Sequence, residues 1–266
     1  MFISCPFAKI KEEPMTLLIL IYGLIIGSFL NVCIYRIPRE ESIAWPGSHC
    51  PTCSHSLKWY DNIPLVSYTL LKGKCRYCQT NISSQYPLVE SLNAVIYIIM
   101  YLKFGFGIDF IFYSLMSSVL VAIIFIDLKE MIIPDSLVVC ILVLSIIHKA
   151  INYFLNGISP DLIGSILGFL VAGGLFLAIV FVSGGGMGGG DVTLIGVLGF
   201  VLGAKYVLLN ILLSFVLGAI ISIFLLAAKI KTRKDPIPFG PFIVLGFFIT
   251  VLLGQDIINW YFNLLL

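Results

Sequence analysis

Two aspartates stand where this chain can least easily hold a charge. Asp191 ends the run Gly184-Gly185-Gly186-Met187-Gly188-Gly189-Gly190 and leads into the apolar stretch Val192-Thr193-Leu194-Ile195-Gly196-Val197-Leu198-Gly199-Phe200. Asp127 closes the apolar run Val119-Leu120-Val121-Ala122-Ile123-Ile124-Phe125-Ile126. Ionisable groups at or inside a membrane boundary are costly, and by default they mark function. Two carboxylates brought together from different helices cannot both ionise at a separation of a few Å, so they share a proton and titrate as a unit. One of them can then take a proton from water while the other, still protonated, polarises a carbonyl. The chemistry open to such a pair is hydrolysis. The glycines clear the space beside Asp191 for another backbone, which makes Gly188 and Gly190 candidate supports of the site.

Each residue also has a plainer use. Taken alone, an aspartate at the end of an apolar helix is an ordinary interfacial residue, and the glycines are a flexible turn. Gly184, Gly186 and Gly189 match GxGxxG, but no strand-helix-strand unit surrounds them, so dinucleotide binding is set aside. Asp135 competes to be the second acid. Following Pro134, it better suits the start of a helix, where proline and an acid are both favoured. Glu90, in Tyr86-Pro87-Leu88-Val89-Glu90, reads equally as a buried polar anchor or a substrate contact. Helix dipoles assign roles to the pair: Asp127, at a helix C-terminus, holds the shared proton, and Asp191, at an N-terminus, acts as base.

The elements that must position these acids are membrane helices. The chain of 266 residues is 59% hydrophobic and 11% charged, whereas soluble domains carry about 25% charged residues. That excludes a soluble globule. Its net charge of +2 identifies no partner. Apolar spans are expected at about 16–35, 87–102, 109–127, 132–155, 162–183, 190–204, 206–228 and 241–262. The first lacks a small-residue cleavage site and reads as a retained helix. Nothing before Met15 is needed by this reading, so Met15 is a second candidate start. Gly23 and Gly27 form a GxxxG pair suited to close helix packing. The span 190–204 is short and glycine-rich, but charge supports its crossing. With eight crossings and residues 36–85 in the cytosol, Arg36, Arg39, Lys58, Lys72, Lys74, Arg76, Lys129, Lys229, Lys231, Arg233 and Lys234 all fall on the cytosolic side, eleven of the sixteen basic residues. Asp127 and Asp191 then lie at one face.

The polar segment 36–85 carries Cys50-Pro51-Thr52-Cys53 and Cys75-Arg76-Tyr77-Cys78, separated by 21 residues. Four thiolates so spaced close a tetrahedral structural zinc site and leave no open position for catalysis. His49 and His55 are read as bystanders, and Cys5, Cys33 and Cys140 as apolar packing residues. Two CxxC pairs in one hydrophilic segment fit a reducing compartment better than disulfides.

In motif order the chain resembles the type IV prepilin peptidase family of bacterial membrane aspartic peptidases. The carriers are Gly27-Ser28-Phe29-Leu30-Asn31-Val32 with Arg36-Ile37-Pro38, the two CxxC pairs around Trp59-Tyr60-Asp61-Asn62-Ile63-Pro64, and Tyr86-Pro87-Leu88-Val89-Glu90. Phe125-Ile126-Asp127, Ile133-Pro134-Asp135, Gly188-Gly189-Gly190-Asp191-Val192 and Ile237-Pro238-Phe239-Gly240-Pro241-Phe242 follow. The resemblance implies Asp127 and Asp191 as catalytic acids, and the residues themselves leave Gly188, Gly190, Asp135 and Glu90 as candidates for substrate or site support. It implies cleavage of a short basic leader from prepilins or pseudopilins at the cytosolic face, followed by N-methylation with S-adenosylmethionine. It associates the cysteine module with methyl transfer. Thr193 departs from the family, in which many members carry lysine two residues after the second acid. The expected organisation is an all-α polytopic protein of the bacterial inner membrane with about eight transmembrane helices. It comprises a first segment and helix (1–35), a cytosolic zinc module (36–85) and a transmembrane peptidase domain (86–266). Its partners are the lipid bilayer and pilin-like substrates, and no nucleic acid. The alternatives are a proton- or cation-coupled transporter using the same acids, and a scaffold held by the zinc module. Against transport, both acids fall at one face and not at the midplane.

Overall fold

A computed structural model describes residues 13–184, 186–232 and 235–265. Expectations that fall on Cys5, on the chain before Glu13, on Gly185, and on Arg233 and Lys234 lie outside the described residues. The described chain is helical, with two isolated β-bridges and no strand. Among the described residues, seven helices are long and apolar enough to cross a bilayer. The chain forms two compact units, Met1–Ala122 and Ile123–Leu266.

The first unit holds α1 (Glu13–Arg36), the short α2 (Val66–Leu70), α3 (Gln85–Phe104) and most of α4 (Ile108–Glu130). The GxxxG pair makes a real helix contact. A Cβ at Gly23 would stand 2.6 Å from the Ala94 Cα, and one at Gly27 would stand 2.7 Å from the Glu90 Cα, so any side chain would drive α1 off α3. Polar side chains then join helices whose backbones already touch. Asn93 donates to the Gly23 carbonyl at 2.8 Å and Asn31 to the Tyr86 carbonyl at 3.2 Å. Ser118 donates to Asn93 and lies 3.0 Å from the Tyr97 hydroxyl.

The second unit holds the end of α4 with α5 (Asp135–Asn156), α6 (Leu162–Val182), α7 (Gly189–Ala227) and α8 (Gly240–Leu265). Local sequence sets the ends. Asp161 caps α6 by accepting the Gly164 N–H, and Gly157 closes α5 in the left-handed region at φ 65°. Although its helical turns follow without a gap, α7 is broken at Gly203, where φ 75° and ψ 168° leave helical space. The break is a reversal. Gly190 and Gly240 both meet Ile133, while Gly218 lies against Phe239 and Phe242 beside Gly240. A continuous helix would hold Gly190 and Gly218 about 40 Å apart. The halves 189–202 and 204–227 therefore run in opposite senses. They are the two apolar spans expected at 190–204 and 206–228, so the seven helices contain the eight expected segments.

Glycine also explains how a half-helix as short as 189–202 can be held. Gly199 and Gly168 lie so close that a Cβ on either would collide with the other's carbonyl, and Gly196 faces Gly173. Leu194, Ile195 and Leu198 have no exposed surface. This half-helix is packed by protein, which relaxes the length a lipid-facing span needs.

Candidate functional site

Asp127 sits near the end of α4 and Asp191 is the third residue of α7. Both are buried, at 5% and 8% exposure. Each has one backbone donor. The Asp191 Oδ2 accepts the Gly188 N–H at 3.2 Å, as an acid in the first turn commonly does. The Asp127 Oδ2 accepts the Gly240 N–H at 3.0 Å, across 113 residues of chain. Ile133 lies beside both Gly190, the neighbour of Asp191, and Gly240, whose N–H binds Asp127. The Asp191 Oδ1 is buried and has no hydrogen-bond partner. A single N–H apiece does not offset the burial of two charges.

The contact with Gly240 alters the dipole argument. Asp127 does lie at the C-terminal end of α4, but Gly240 begins α8, so the positive end of that helix faces the same carboxylate. Asp191 and Asp127 thus each meet a helix N-terminus. Helix position no longer separates their roles.

In the first unit, the four cysteines form a second constellation. Their Sγ atoms all lie within 4.8 Å of one another, and the Cys50 and Cys78 sulfurs are 3.8 Å apart. A tetrahedral zinc with Zn–S bonds of about 2.3 Å requires sulfurs about 3.8 Å apart, so the donor set fits the ion. The two knuckles are alike. Cys50 donates its N–H to the His55 carbonyl and accepts from Ser54 N–H at its own carbonyl; Cys75 does the same with Thr80 and Gln79. Ser54 and Gln79 both take positive φ, at 56° and 61°. The bridges His49–Ser56 and Lys74–Asn81 close the two loops. The Thr80 hydroxyl lies 3.4 Å from the Cys78 sulfur. His55 packs on Tyr77 and His49 reaches the Gly47 carbonyl, as bystanders would.

Two family models match the chain: the bacterial peptidase A24 N-terminal domain over residues 21–104 and the type IV leader peptidase family over residues 114–223. A prepilin leader peptidase/N-methyltransferase of Aeromonas salmonicida is 34% identical over 275 residues, covering 94% of both chains. The chain belongs to the type IV leader peptidase family. A Pseudomonas aeruginosa relative of the same name is 33% identical, covering 91% of each chain, and a Bacillus subtilis one is 32% identical, covering 94% of this chain and 98% of its own. No solved structure matches.

Against this leader-peptidase frame the remaining candidates separate. Gly190 packs on Ile133, where a Cβ would stand 2.8 Å from the Ile133 Cβ, and Gly188 supplies the N–H to Asp191. Asp135 is exposed at the start of α5 and makes no hydrogen bond or ion pair among the described residues. Glu90 is buried in the first unit. Its Oε2 accepts the Leu65 N–H at 2.9 Å. Leu65 holds φ 58°, a strained setting for a bulky residue, where that bond fixes it. Thr193 is exposed and bonds back to the Gly190 carbonyl at 3.0 Å.

Sequence reasoning treated Arg36 as a topology marker, yet it is 6% exposed and donates to the carbonyls of Ser42 and Gly47, folding the start of the polar module. Ile133 and Gly240 were noted there only as members of motifs, with no role of their own. The one signal for Gly240 was its place in Pro238-Phe239-Gly240-Pro241, which reads locally as a turn.

Proposed function

We propose that this protein removes the leader from type IV prepilins or pseudopilins and N-methylates the newly exposed amino terminus. The observation carrying this reading is the buried pair Asp127 and Asp191, held at two helix N-termini in a chain whose relatives, matched over nearly their whole length, are named prepilin leader peptidase/N-methyltransferases. In hydrolysis the ionised member of the pair accepts a proton from water as the water oxygen attacks the scissile carbonyl carbon. The protonated member donates to the carbonyl oxygen, and the tetrahedral diol collapses with a proton delivered to the leaving nitrogen. Asp127 and Asp191 are the proposed catalytic residues, with Gly188 and Gly190 keeping the approach to them open. Methyl transfer uses S-adenosylmethionine, which supplies the methyl group to the free amine.

Cys50, Cys53, Cys75 and Cys78 would hold a structural zinc that shapes the 36–85 module, and 86–266 would form the peptidase domain. The pair faces the cytosol of the bacterial inner membrane, where a helical prepilin presents its polar-to-apolar junction. Coupled transport by the same acids is not favoured by the relatives' names. The mass of a prepilin after incubation with the protein and S-adenosylmethionine tests both activities. The expected product lacks the leader and carries one added methyl group. An intact prepilin would reject the peptidase reading, and a cut but unmethylated one the transferase.

A further inference from the structure

Resting on that aspartic-pair reading, a second question is what sets the gap between the acids, since a shared proton requires carboxyl oxygens held about 3 Å apart. Two residues outside both the acids and the glycine run, Ile133 and Gly240, lie at the helix starts beside the acids.

Ile133 lies between the first turns of α7 and α8. Its Cβ is 2.8 Å from where a Cβ at Gly190 would stand, and its Cδ1 is 3.1 Å from the corresponding point at Gly240. Ile133 is thus in van der Waals contact with the residue before Asp191 and with the residue that binds Asp127. It is delivered there by a turn at the end of α4, where Met131 takes φ 55° and returns its N–H to the Asp127 carbonyl at 3.0 Å.

Gly240 meets Asp127 from the other side. A Cβ at this position would stand 2.5 Å from the same Oδ2 that accepts the Gly240 N–H. Its φ is not positive, so the demand for glycine here comes from space and not from backbone conformation. The N–H is also pinned. Phe239, the preceding residue, packs among Phe176, Phe215 and Phe242 with ring centroids 6.0, 5.3 and 5.9 Å away. Pro241 follows in the first turn of α8, where its fixed φ suits a helix start.

We propose that Gly240 and Ile133 are positioning residues for the acid pair: the Gly240 N–H fixes the Asp127 carboxylate, and Ile133 is the spacer between the two helix starts that carry the acids' contacts. Neither touches substrate, so altering them disturbs the reacting geometry and leaves binding alone. An error of about 1 Å in such a geometry can cost about a hundredfold in rate.

The test uses the full chain in lipid nanodiscs with a purified prepilin. Gly240→Ala is expected to lower kcat about a hundredfold, with KM within a few-fold of wild type and methylation of an already cut pilin retained. Ile133→Val, which removes the Cδ1 methyl, is expected to restore part of the kcat lost in Gly240→Ala. A backbone ester at position 240, introduced by nonsense suppression with glycolic acid, removes the N–H without adding a Cβ and keeps the question open to test should the alanine variant misfold. It is expected to lower kcat by about tenfold or more. Wild-type kcat in the ester variant, or a loss that falls wholly on KM, overturns the proposal. These outcomes are distinct from failure of the underlying reading, which would show as cleavage surviving in Asp127→Asn or Asp191→Asn.

Discussion

Replacing either Asp127 or Asp191 by asparagine is expected to lower leader cleavage by about 10²–10⁴-fold, the range general acid–base catalysis contributes. Asparagine preserves the shape and can still accept the N–H of Gly240 or Gly188, so folding should be little affected. What it removes is the capacity to take up and release a proton. Because the two acids act as one unit, the double substitution should lose no more than the more damaging single change. Methylation of a pilin already cut should persist in all three variants, which shows that the protein remains folded. Initial rates on a purified prepilin, with and without leader, make the measurement. Cleavage within a few-fold of wild type in either single variant would remove that acid from the chemistry.

Replacing Cys75 by serine is expected to abolish bound metal. Cys75 is buried within the cluster, and its N–H also closes the second knuckle loop on Thr80. Structural zinc of this kind contributes about 10–16 kcal/mol of apparent binding free energy to the fold around it. The variant should fall from one zinc per chain to none by elemental analysis. Residues 36–85 should become open to limited proteolysis, and methyl transfer should be lost. Leader cleavage should fall only a few-fold, since both acids lie in the other compact unit. One zinc retained per chain, or a protease-resistant module without metal, would contradict a structural role.

What the sequence made legible follows from the reach of each signal. The two CxxC pairs are local patterns, and the fold needed only to close one loop to bring the four sulfurs within 4.8 Å. Asp127 and Asp191 stood out because a carboxylate beside a long apolar run is rare, and alternation of crossings put their helix ends at one face. The eight spans were legible as hydropathy. That 190–204 and 206–228 join at a single glycine was not, because the φ of 75° at Gly203 is imposed by the packing of α6 and α7 through Gly168, Gly199 and Gly203. The bond from Gly240 to Asp127 was hidden for a different reason. It spans 113 residues and uses a backbone N–H, which leaves no trace in side-chain type. The dipole argument for Asp127 went astray because it counted only the helix that carries the acid and not the one that meets it.

The convergence of the two acids is tested most directly by placing cysteines at 127 and 191, in a background where Cys5, Cys33 and Cys140 are alanine and the zinc cysteines are retained, and treating membranes with a short bifunctional thiol reagent. The account predicts an intramolecular link between the two positions that forms efficiently, is blocked by prior alkylation of either, and is absent from each single-cysteine control. Independent modification of both cysteines with no linked species, under conditions where each reacts fully, would contradict it.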